Sequence, residues 1–347
     1  MPPKRLGSHV LGRRLFMAAA LALPTAALAQ SAEDFFKSAS LSMYVGSGAG
    51  GGYDIIGRLM ARHMSRFLPG NPNIVVKNMP GAAGVQSTNF LYNTAPKDGT
   101  AILAAQNSAL FLPVYNSPVA HYDPRKFEWI GSAGKQQAIC ITSITSPIRS
   151  LEDATQREVP VSATGVSAGP GVYPKILNAL FGTKFKVISG YDTGGMRMAL
   201  EKGEVEGICG LAWQTYKVIA PDWIERKKIR VLAQMGLEKN AELSDVPLAA
   251  DLLKNPEDRQ VLELIVLPQE FGRPIVAPPG TPADRMAVWR QAFQSMLKDE
   301  QFLAEAEKQR LAIEPLDDKQ IQALLARAYA VPKAVHDRAT VFGAEMN

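Results

Sequence analysis

The amino-acid sequence predicts an α/β protein with two Rossmann-like lobes and a cleft between them. Strand-like runs alternate with amphipathic helical runs, and the alternation begins again in the second half of the chain. Several strand-like runs pass into the next helix through a glycine-rich loop. The chain has 347 residues, which is too long for one ordinary hydrophobic core and suits two lobes.

The first 29 residues have the composition of a signal peptide. Basic residues precede an apolar run over residues 15–28, and small residues form a cleavage site ending at Ala29. The run is shorter than a membrane-spanning helix needs to be. We expect cleavage after Ala29, so that the mature chain begins at Gln30 and is exported. The pair Arg13 and Arg14 also fits a twin-arginine leader, which leaves the export route open.

Removing this segment changes the charge of the chain. The full sequence carries 38 basic and 33 acidic residues, a net charge of +5. Residues 1–29 hold four of the basic residues and no acidic one, so 34 basic and 33 acidic residues remain, a net charge of +1. The mature chain is not basic enough for a nucleic-acid-binding protein, and we expect no nucleic-acid partner.

The first half of the mature chain predicts the order strand, helix, strand, helix, strand. The first helix has apolar residues at helical spacing, and Pro69 and Gly70 end it. The predicted strands cover residues 41–45, 74–77 and 100–105, and the predicted helices cover 53–68 and 85–92. This order indicates a parallel sheet with helices on its faces.

The second half repeats the same order and ends in long helices. Its predicted strands cover residues 159–163, 185–188, 205–210, 229–235 and 273–277. Its predicted helices cover residues 173–181, 196–202, 282–298 and 317–336.

Two cysteines, Cys140 and Cys209, lie in apolar strand-like runs. In an exported protein they could form a disulfide, but the sequence slightly favours two buried thiols, because it cannot place the two Cα atoms within bridging distance.

Four loops share one design, in which small residues lie between a strand and the start of a helix. They cover residues 47–54, 106–110, 164–169 and 191–195. In an open parallel sheet such loops converge at a crevice. Helix N-termini there present unpaired N–H groups with partial positive charge, so the loops suit an anion without needing Lys or Arg.

One loop matches a dinucleotide-binding motif, but its context disagrees. Glycines at 46, 48 and 51 satisfy the G-x-G-x-x-G spacing and follow a strand. A nicotinamide site also requires an acidic residue at the end of the next strand, and here that strand ends in Lys77 and Asn78. We therefore expect no cofactor. The histidines are scattered and neither cysteine has a partner at ligand spacing, so we expect no metal either.

A second loop matches the nucleophile elbow of serine hydrolases. Residues 165–169 read G-x-S-x-G, with Ser167 as the candidate nucleophile. A hydrolase also needs a histidine later in the chain, and only His336 follows Ser167, inside a predicted helix. An exported serine hydrolase or esterase using Ser167 is the alternative to a non-catalytic binding protein.

Asp54 could contact a ligand or cap the helix that it begins.

Several stretches together resemble the solute-binding receptors of tripartite tricarboxylate transporters. The resemblance rests on their order and spacing over residues 41–297 more than on any one motif. The stretches are SGAGGGYD at 47–54, VVKNMPGAAG at 75–84, APKDGT at 95–100, GEVEG at 203–207 and VAPPGTP at 276–282.

The resemblance implies a type II periplasmic-binding-protein fold, in which two lobes joined by crossing strands close over a ligand. Lobe 1 would combine residues 30–134 with 269–347, and lobe 2 would cover 135–268. Such receptors lie in the periplasm, capture small organic carboxylates and deliver them to the permease subunits of a membrane transporter. We therefore expect a monomeric binding protein and not an enzyme.

The resemblance also implies the ligand contacts, which come from loop backbone and small polar side chains. Carried over by position, they are Ser47, Ala49, Gly50, Asp54, Asn107, Ser108, Thr164, Gly165, Ser167, Ala168 and Tyr191. The chain departs from the family at three of its loop positions. Many members have Pro where this chain has Ser47 or Ala49, and Thr or Ser where it has Tyr53. The sequence therefore does not name the ligand.

Overall fold

The computed structural model describes residues 1–3, 31–165 and 168–344. Most of the predicted signal peptide, its cleavage site and the candidate nucleophile Ser167 lie outside the described residues. Contacts divide the chain into two units, Met1–Ser31 and Ala32–Asn347, and the fold described below belongs to the second unit. No helix within the described ranges is both long and apolar enough to cross a membrane.

Two five-stranded mixed sheets form the framework of the second unit. The first sheet has the strand order β2-β1-β3-β10-β4, and the second has the order β7-β6-β8-β5-β9. The strands are β1 Leu41–Val45, β2 Ile74–Asn78, β3 Ala101–Ala104, β4 Glu128–Ser132, β5 Ala138–Ser143, β6 Val159–Ala163, β7 Phe185–Ser189, β8 Gly207–Ala212, β9 Ile229–Met235 and β10 Pro274–Ala277.

The two sheets follow the same plan. In the first, β1 pairs in parallel with β2 and β3, and β10 lies antiparallel between β3 and β4. In the second, β6 pairs in parallel with β7 and β8, and β5 lies antiparallel between β8 and β9. Each sheet therefore has four strands that run in one direction and one inserted strand, β10 or β5, that runs the other way.

Helices follow the parallel strands at corresponding places in the two sheets. In the first sheet α2, α3 and α4 come after β1, β2 and β3, and in the second α5, α6 and α7 come after β6, β7 and β8. The helices are α1 Ala32–Ser38, α2 Gly52–Ser65, α3 Val85–Asn93, α4 Asn107–Phe111, α5 Gly169–Phe181, α6 Thr193–Lys202, α7 Trp213–Ile219, α8 Pro221–Glu225, α9 Pro256–Val266, α10 Pro268–Phe271, α11 Ala283–Met296, α12 Glu300–Lys308, α13 Asp318–Tyr329 and α14 Lys333–Ala344.

The predicted helix over residues 317–336 was wrong as a single element. The segment forms two helices, α13 and α14, and Pro332 lies in the break between them. A proline inside a continuous helix would remove a hydrogen bond and clash with the preceding turn.

Helix α5 begins at Gly169, four residues before the predicted start, because Pro170 in its first turn needs no N–H partner.

A continuous hydrophobic core connects the two sheets. One cluster of buried apolar side chains includes Trp129 and Val276 of the first sheet together with Val161 and Leu232 of the second. A separate cluster packs α2 and α11 against the first sheet, and another packs α6 and α7 against the second. The predicted lobe boundaries, residues 30–134 with 269–347 against 135–268, stay a prediction.

The two cysteines form a disulfide between neighbouring strands of the second sheet. Cys140 on β5 and Cys209 on β8 occupy directly paired positions, and both are fully buried. The slight preference of the sequence for two free thiols was therefore wrong. It failed because strand pairing, which local sequence does not encode, brings the two cysteines together.

Candidate ligand-binding cleft

A cavity of about 260 Å³ lies where the loops that follow β1, β3 and β6 meet the end of β8. We call it the central cavity. Both sheets contribute to its walls. Three of the four predicted loops, over residues 47–54, 106–110 and 164–169, each supply several lining residues, and the fourth, over residues 191–195, supplies Thr193. Five of the residues predicted as ligand contacts line it: Ser47, Asn107, Ser108, Thr164 and Ala168.

A second cavity of about 300 Å³, which we call the side cavity, adjoins the first. Five residues line both cavities: Gly51, Gly52, Thr193, Thr215 and Arg273. Both cavities combine polar and apolar side chains. Asn107, Ser108, Gln136 and Gln269 contribute polar groups to the central cavity. The side cavity has an apolar wall, formed by Ile55, Val218, Ile219 and Leu311, and its uncharged polar side chains are Thr193, Gln214 and Thr215.

Three helices of ten or more residues begin at the walls of these cavities, and the short helix α4 begins there too, at Asn107. Helices α2, α5 and α6 start at Gly52, Gly169 and Thr193, each of which lines the central cavity. The first turn of a helix leaves its N–H groups without intrahelical partners and carries a partial positive charge. Small residues at these helix starts let a ligand approach the backbone. The cleft therefore favours a bound anion.

The N-terminus of α5 is held against β8 by a close backbone approach. A Cβ atom at Gly210 would lie 2.6 Å from the carbonyl carbon of Gly169, and one at Gly169 would lie 2.6 Å from the carbonyl oxygen of Gly210. Neither position accepts a side chain. The wall that the second sheet contributes to the cleft depends on this glycine pair.

Arg273 places a buried positive charge between the two cavities. Only 8% of the residue is exposed, and it lines both cavities. Burial lowers the pKa of its guanidinium, and the nearby Tyr53 opposes this; no carboxylate of the described residues does so. A buried charge without a partner is costly, so an anionic ligand at this place would stabilise it.

Sequence reasoning missed Arg273, because position 273 was assigned to the edge of a strand. One signal was available. A charged residue directly before the fully buried run Pro274–Ala277 is unusual, and such a residue needs a special environment.

Tyr53 occupies the floor of the central cavity and uses one of the predicted backbone donors. Its hydroxyl donates to the carbonyl oxygen of Gly272 at 3.3 Å and accepts from the N–H of Asn107 at 3.2 Å. The N–H of Ser108 donates to Oδ1 of Asn107 at 2.7 Å. The predicted backbone donors at 107 and 108 are therefore satisfied within the protein, and a ligand would contact the side chains there.

Asp54 does not line either cavity, in contrast to its predicted role as a ligand contact. Its carboxylate accepts from the N–H of Gly50 at 2.8 Å, from Nε of Arg58 at 3.0 Å and from Nδ2 of Asn78 at 2.8 Å. Asn78 also donates to the carbonyl oxygen of Ser47 at 2.9 Å. Asp54 thus fixes the shape of the loop over residues 47–52 from inside. The N–H that it accepts from belongs to Gly50, outside α2, so this role also differs from the helix cap that the sequence left open.

The charge state of Asp54 follows from these contacts. Burial raises the pKa of its carboxyl, but the hydrogen bonds from Arg58, Gly50 and Asn78 outweigh this effect and hold the pKa below its ordinary value of 3.8. The folded state therefore prefers the ionised form of Asp54. A group with a lowered pKa in the folded state adds stability above its unfolded pKa, and this stability is lost as the pH falls through the folded pKa.

We therefore expect Asp54→Asn to lower the melting temperature at neutral pH, and the deficit to shrink below pH 3.8 as the native carboxyl takes up a proton. Thermal unfolding of both proteins between pH 7 and pH 2.5 measures the difference. The exposed Asp245→Asn is the matched control and should show no such deficit. A deficit that stays constant down to the lowest pH would contradict this account of Asp54.

The remaining predicted contacts lie around the cleft. Gly50 lines the side cavity. Ala49 is exposed and Gly165 is half-buried, and neither lines a cavity. Tyr191 packs against the apolar cluster beneath the second sheet. Ser167 lies outside the described residues, so its predicted contact stays a prediction.

Other residues of the central cavity were not predicted. Gln269 donates through Nε2 to the hydroxyl of Tyr173 at 2.6 Å, and its Oε1 has no protein partner. Gln136 and Gln269 belong to the two segments that connect the sheets, whose sequences carry no loop motif. Within the described ranges, no three His, Cys, Asp or Glu side chains come together in a way that could hold a metal ion.

Comparison with known protein sequences finds distant relatives of this chain. No family model matches the chain. A curated relative from Cupriavidus necator, the "UPF0065 protein in gbd 5'region", is 27% identical over 301 residues, which cover 83% of this chain and 84% of the relative.

Two solved structures illustrate the match of the fold. A TctC solute-binding protein from Polaromonas has a TM-score of 0.61 and 18% identity, covering 87% of this chain and 99% of that chain. MatC from Rhodopseudomonas palustris, solved with bound malate, has a TM-score of 0.63 and 18% identity, covering 89% and 99%. The predicted type II periplasmic-binding-protein fold is confirmed, and so is the resemblance to tricarboxylate-transporter solute-binding proteins.

Proposed function

We propose that this chain is a periplasmic solute-binding protein that captures a small organic carboxylate in the cleft between its two sheets. One observation carries the proposal most directly. The cleft is lined from both sheets, the N-termini of α2, α5 and α6 lie at its walls, and it contains the buried Arg273, which no carboxylate of the described residues neutralises. An anion is the ligand that such a site accommodates best. MatC, whose fold is similar, holds the dicarboxylate malate.

The ligand is captured because the loops of both sheets supply its contacts. A ligand in the central cavity contacts Ser47 and Asn107 of the first sheet's loops and Thr164 and Gly169 of the second sheet's loops. These contacts are complete only when the two sides are close together. A ligand that binds the closed arrangement more tightly shifts the population toward it. The protein acts as a monomer and passes the ligand to a membrane permease.

Several features favour binding without chemical conversion. No histidine lines either cavity in the part of the chain that the structure describes. His63 lies at the far end of α2, where Nε2 is 2.8 Å from Oε2 of Glu305. His336, which the hydrolase alternative requires, lies on α14. The hydrolase is therefore the weaker alternative.

The proposed location and partner rest on the N-terminal sequence and on the relatives. The predicted signal peptide directs the chain across the inner membrane, through the general or the twin-arginine route. The structures with the same fold include solute-binding proteins such as the TctC protein of Polaromonas. A protein of this kind delivers its ligand to permease subunits in the membrane.

A thermal-shift screen of the mature protein against organic acids tests the proposal. Partial unfolding in guanidinium followed by refolding first removes any ligand that co-purifies. Each acid is paired with its uncharged amide, for example succinate with succinamide. A ligand that binds only the folded state stabilises it by about 2.7 kcal/mol at a hundredfold excess over its Kd. We expect a rise in Tm with at least one acid and none with its amide. Equal shifts with acid and amide, or no shift with any acid, would contradict the proposal.

A further inference from the structure

The charges around the cleft restrict the ligand further than the proposed function does. Among the described residues, Arg273 is the one cation that lines the central cavity, and no Asp or Glu side chain lines either cavity. A ligand ammonium group would therefore find no carboxylate partner. Burying an unpaired ammonium is costly, so the cleft disfavours amino acids.

The other arginine of the side cavity is already neutralised. Arg197 contacts the carboxylates of Glu201 at 3.0 Å and Asp222 at 3.1 Å, and its third nitrogen donates to the carbonyl oxygen of Ile219. These two carboxylates neutralise the guanidinium of Arg197, so it is not available to pair with a ligand carboxylate. One free cation serves one carboxylate. A second carboxylate in the side cavity could contact only the N–H groups at the starts of α2 and α6 and would have no cationic side chain to neutralise it.

The wall of the side cavity is apolar where the ligand would extend beyond Arg273. Ile55 of α2, Val218 and Ile219 of α7, and Leu311 face this cavity of about 300 Å³. Removing hydrocarbon from water is favourable in proportion to the area buried, so a hydrocarbon chain fits this lining better than a polar one.

Resting on the proposed function, we infer that the ligand is a monocarboxylate with a hydrocarbon body and no amino group. Its carboxylate binds Arg273 between the two cavities, and its hydrocarbon part occupies the side cavity. This assignment differs from the dicarboxylate that MatC holds.

Calorimetry with five related acids tests the inference on the unmodified protein. Propanoate, butanoate and hexanoate differ only in methylene groups, and in adipate a second carboxylate replaces the terminal methyl group of hexanoate. We expect the affinity to rise about fourfold for each methylene that enters the side cavity, and hexanoate to bind more tightly than adipate. 6-Aminohexanoate, which adds an ammonium group, should bind more weakly than hexanoate.

A variant that fills the side cavity locates the hydrocarbon part. Val218→Phe should weaken hexanoate binding at least tenfold, whereas Val341→Phe, the same change at a position that is 63% exposed on α14, should leave it unchanged. Melting curves confirm that each variant is folded. The chain-length series needs no variant and decides the matter alone if Val218→Phe does not fold.

The outcomes separate this inference from the proposed function. Tighter binding of adipate or 6-aminohexanoate than of hexanoate would overturn the inference and leave a carboxylate receptor. An affinity that does not depend on chain length would do the same. If no carboxylate of any kind binds, both the proposed function and the inference fail.

Discussion

Arg273→Gln is expected to weaken carboxylate binding by about a hundredfold or more while raising the melting temperature of the ligand-free protein. The loss of affinity follows because a buried guanidinium gives charge-assisted hydrogen bonds to a carboxylate, and their loss costs about 2–5 kcal/mol. The gain in stability follows because the substitution removes a buried charge that no described carboxylate pairs with. Calorimetry and thermal unfolding of the same preparations measure the two effects.

The matched control for this variant is Arg149→Gln, which removes an exposed arginine away from the cleft. It should change neither the affinity nor the melting temperature by a measurable amount. If Arg273→Gln instead lowers the stability of the ligand-free protein and leaves the affinity intact, Arg273 has a structural partner, and the anion site lies elsewhere in the cleft.

The second large effect is expected at Gly272, where the two segments that connect the sheets cross. One segment joins β4 to β5 through Gly134, and the other leads from α10 into β10. Gly272 has φ +53°, and a Cβ atom there would overlap the carbonyl group of Gly134 and lie 3.0 Å from Cα of Lys135. No L side chain fits between these two backbones.

Gly272→Ala is therefore expected to destabilise the protein by at least about 3 kcal/mol, since the clash with backbone adds to the strain of a positive φ. Gly280→Ala is the control, because Gly280 also has positive φ (+81°) but has no atom within 4 Å of its Cβ position. It should cost about 1 kcal/mol. Denaturant unfolding measures both. Equal losses in the two variants would show that the crossing is loose enough to accommodate a side chain.

Much of the framework was predictable because local patterns encode it. Strands β1, β6 and β9 match their predicted bounds, and the loops that follow β1, β3 and β6 meet at the cleft as expected. These elements depend on apolar periodicity and on glycines at strand ends, which are visible within a few residues of sequence.

Local sequence patterns do not predict which strands the inserted strands pair with, nor which charged residue reaches the cleft. Strand β10 pairs with β3, more than 160 residues earlier in the chain, and no local pattern specifies that partner. The position of β10 brings Arg273 to the cleft, and a separate long-range pairing, of β5 with β8, brings Cys140 beside Cys209. Asp54 shows the opposite error, because family position suggested a ligand contact where the hydrogen bonds give it a structural role.

Native mass spectrometry of the mature protein with its best-binding acid tests the central claim most directly, because it reports both occupancy and the identity of the bound molecule. The account predicts a complex of one protein with one acid, and recovery of that acid at unchanged mass after prolonged incubation. Arg273→Gln should show no complex under the same conditions. Release of a product of different mass, or failure of every acid to form a complex with the unmodified protein, would contradict the claim that this cleft captures a carboxylate without converting it.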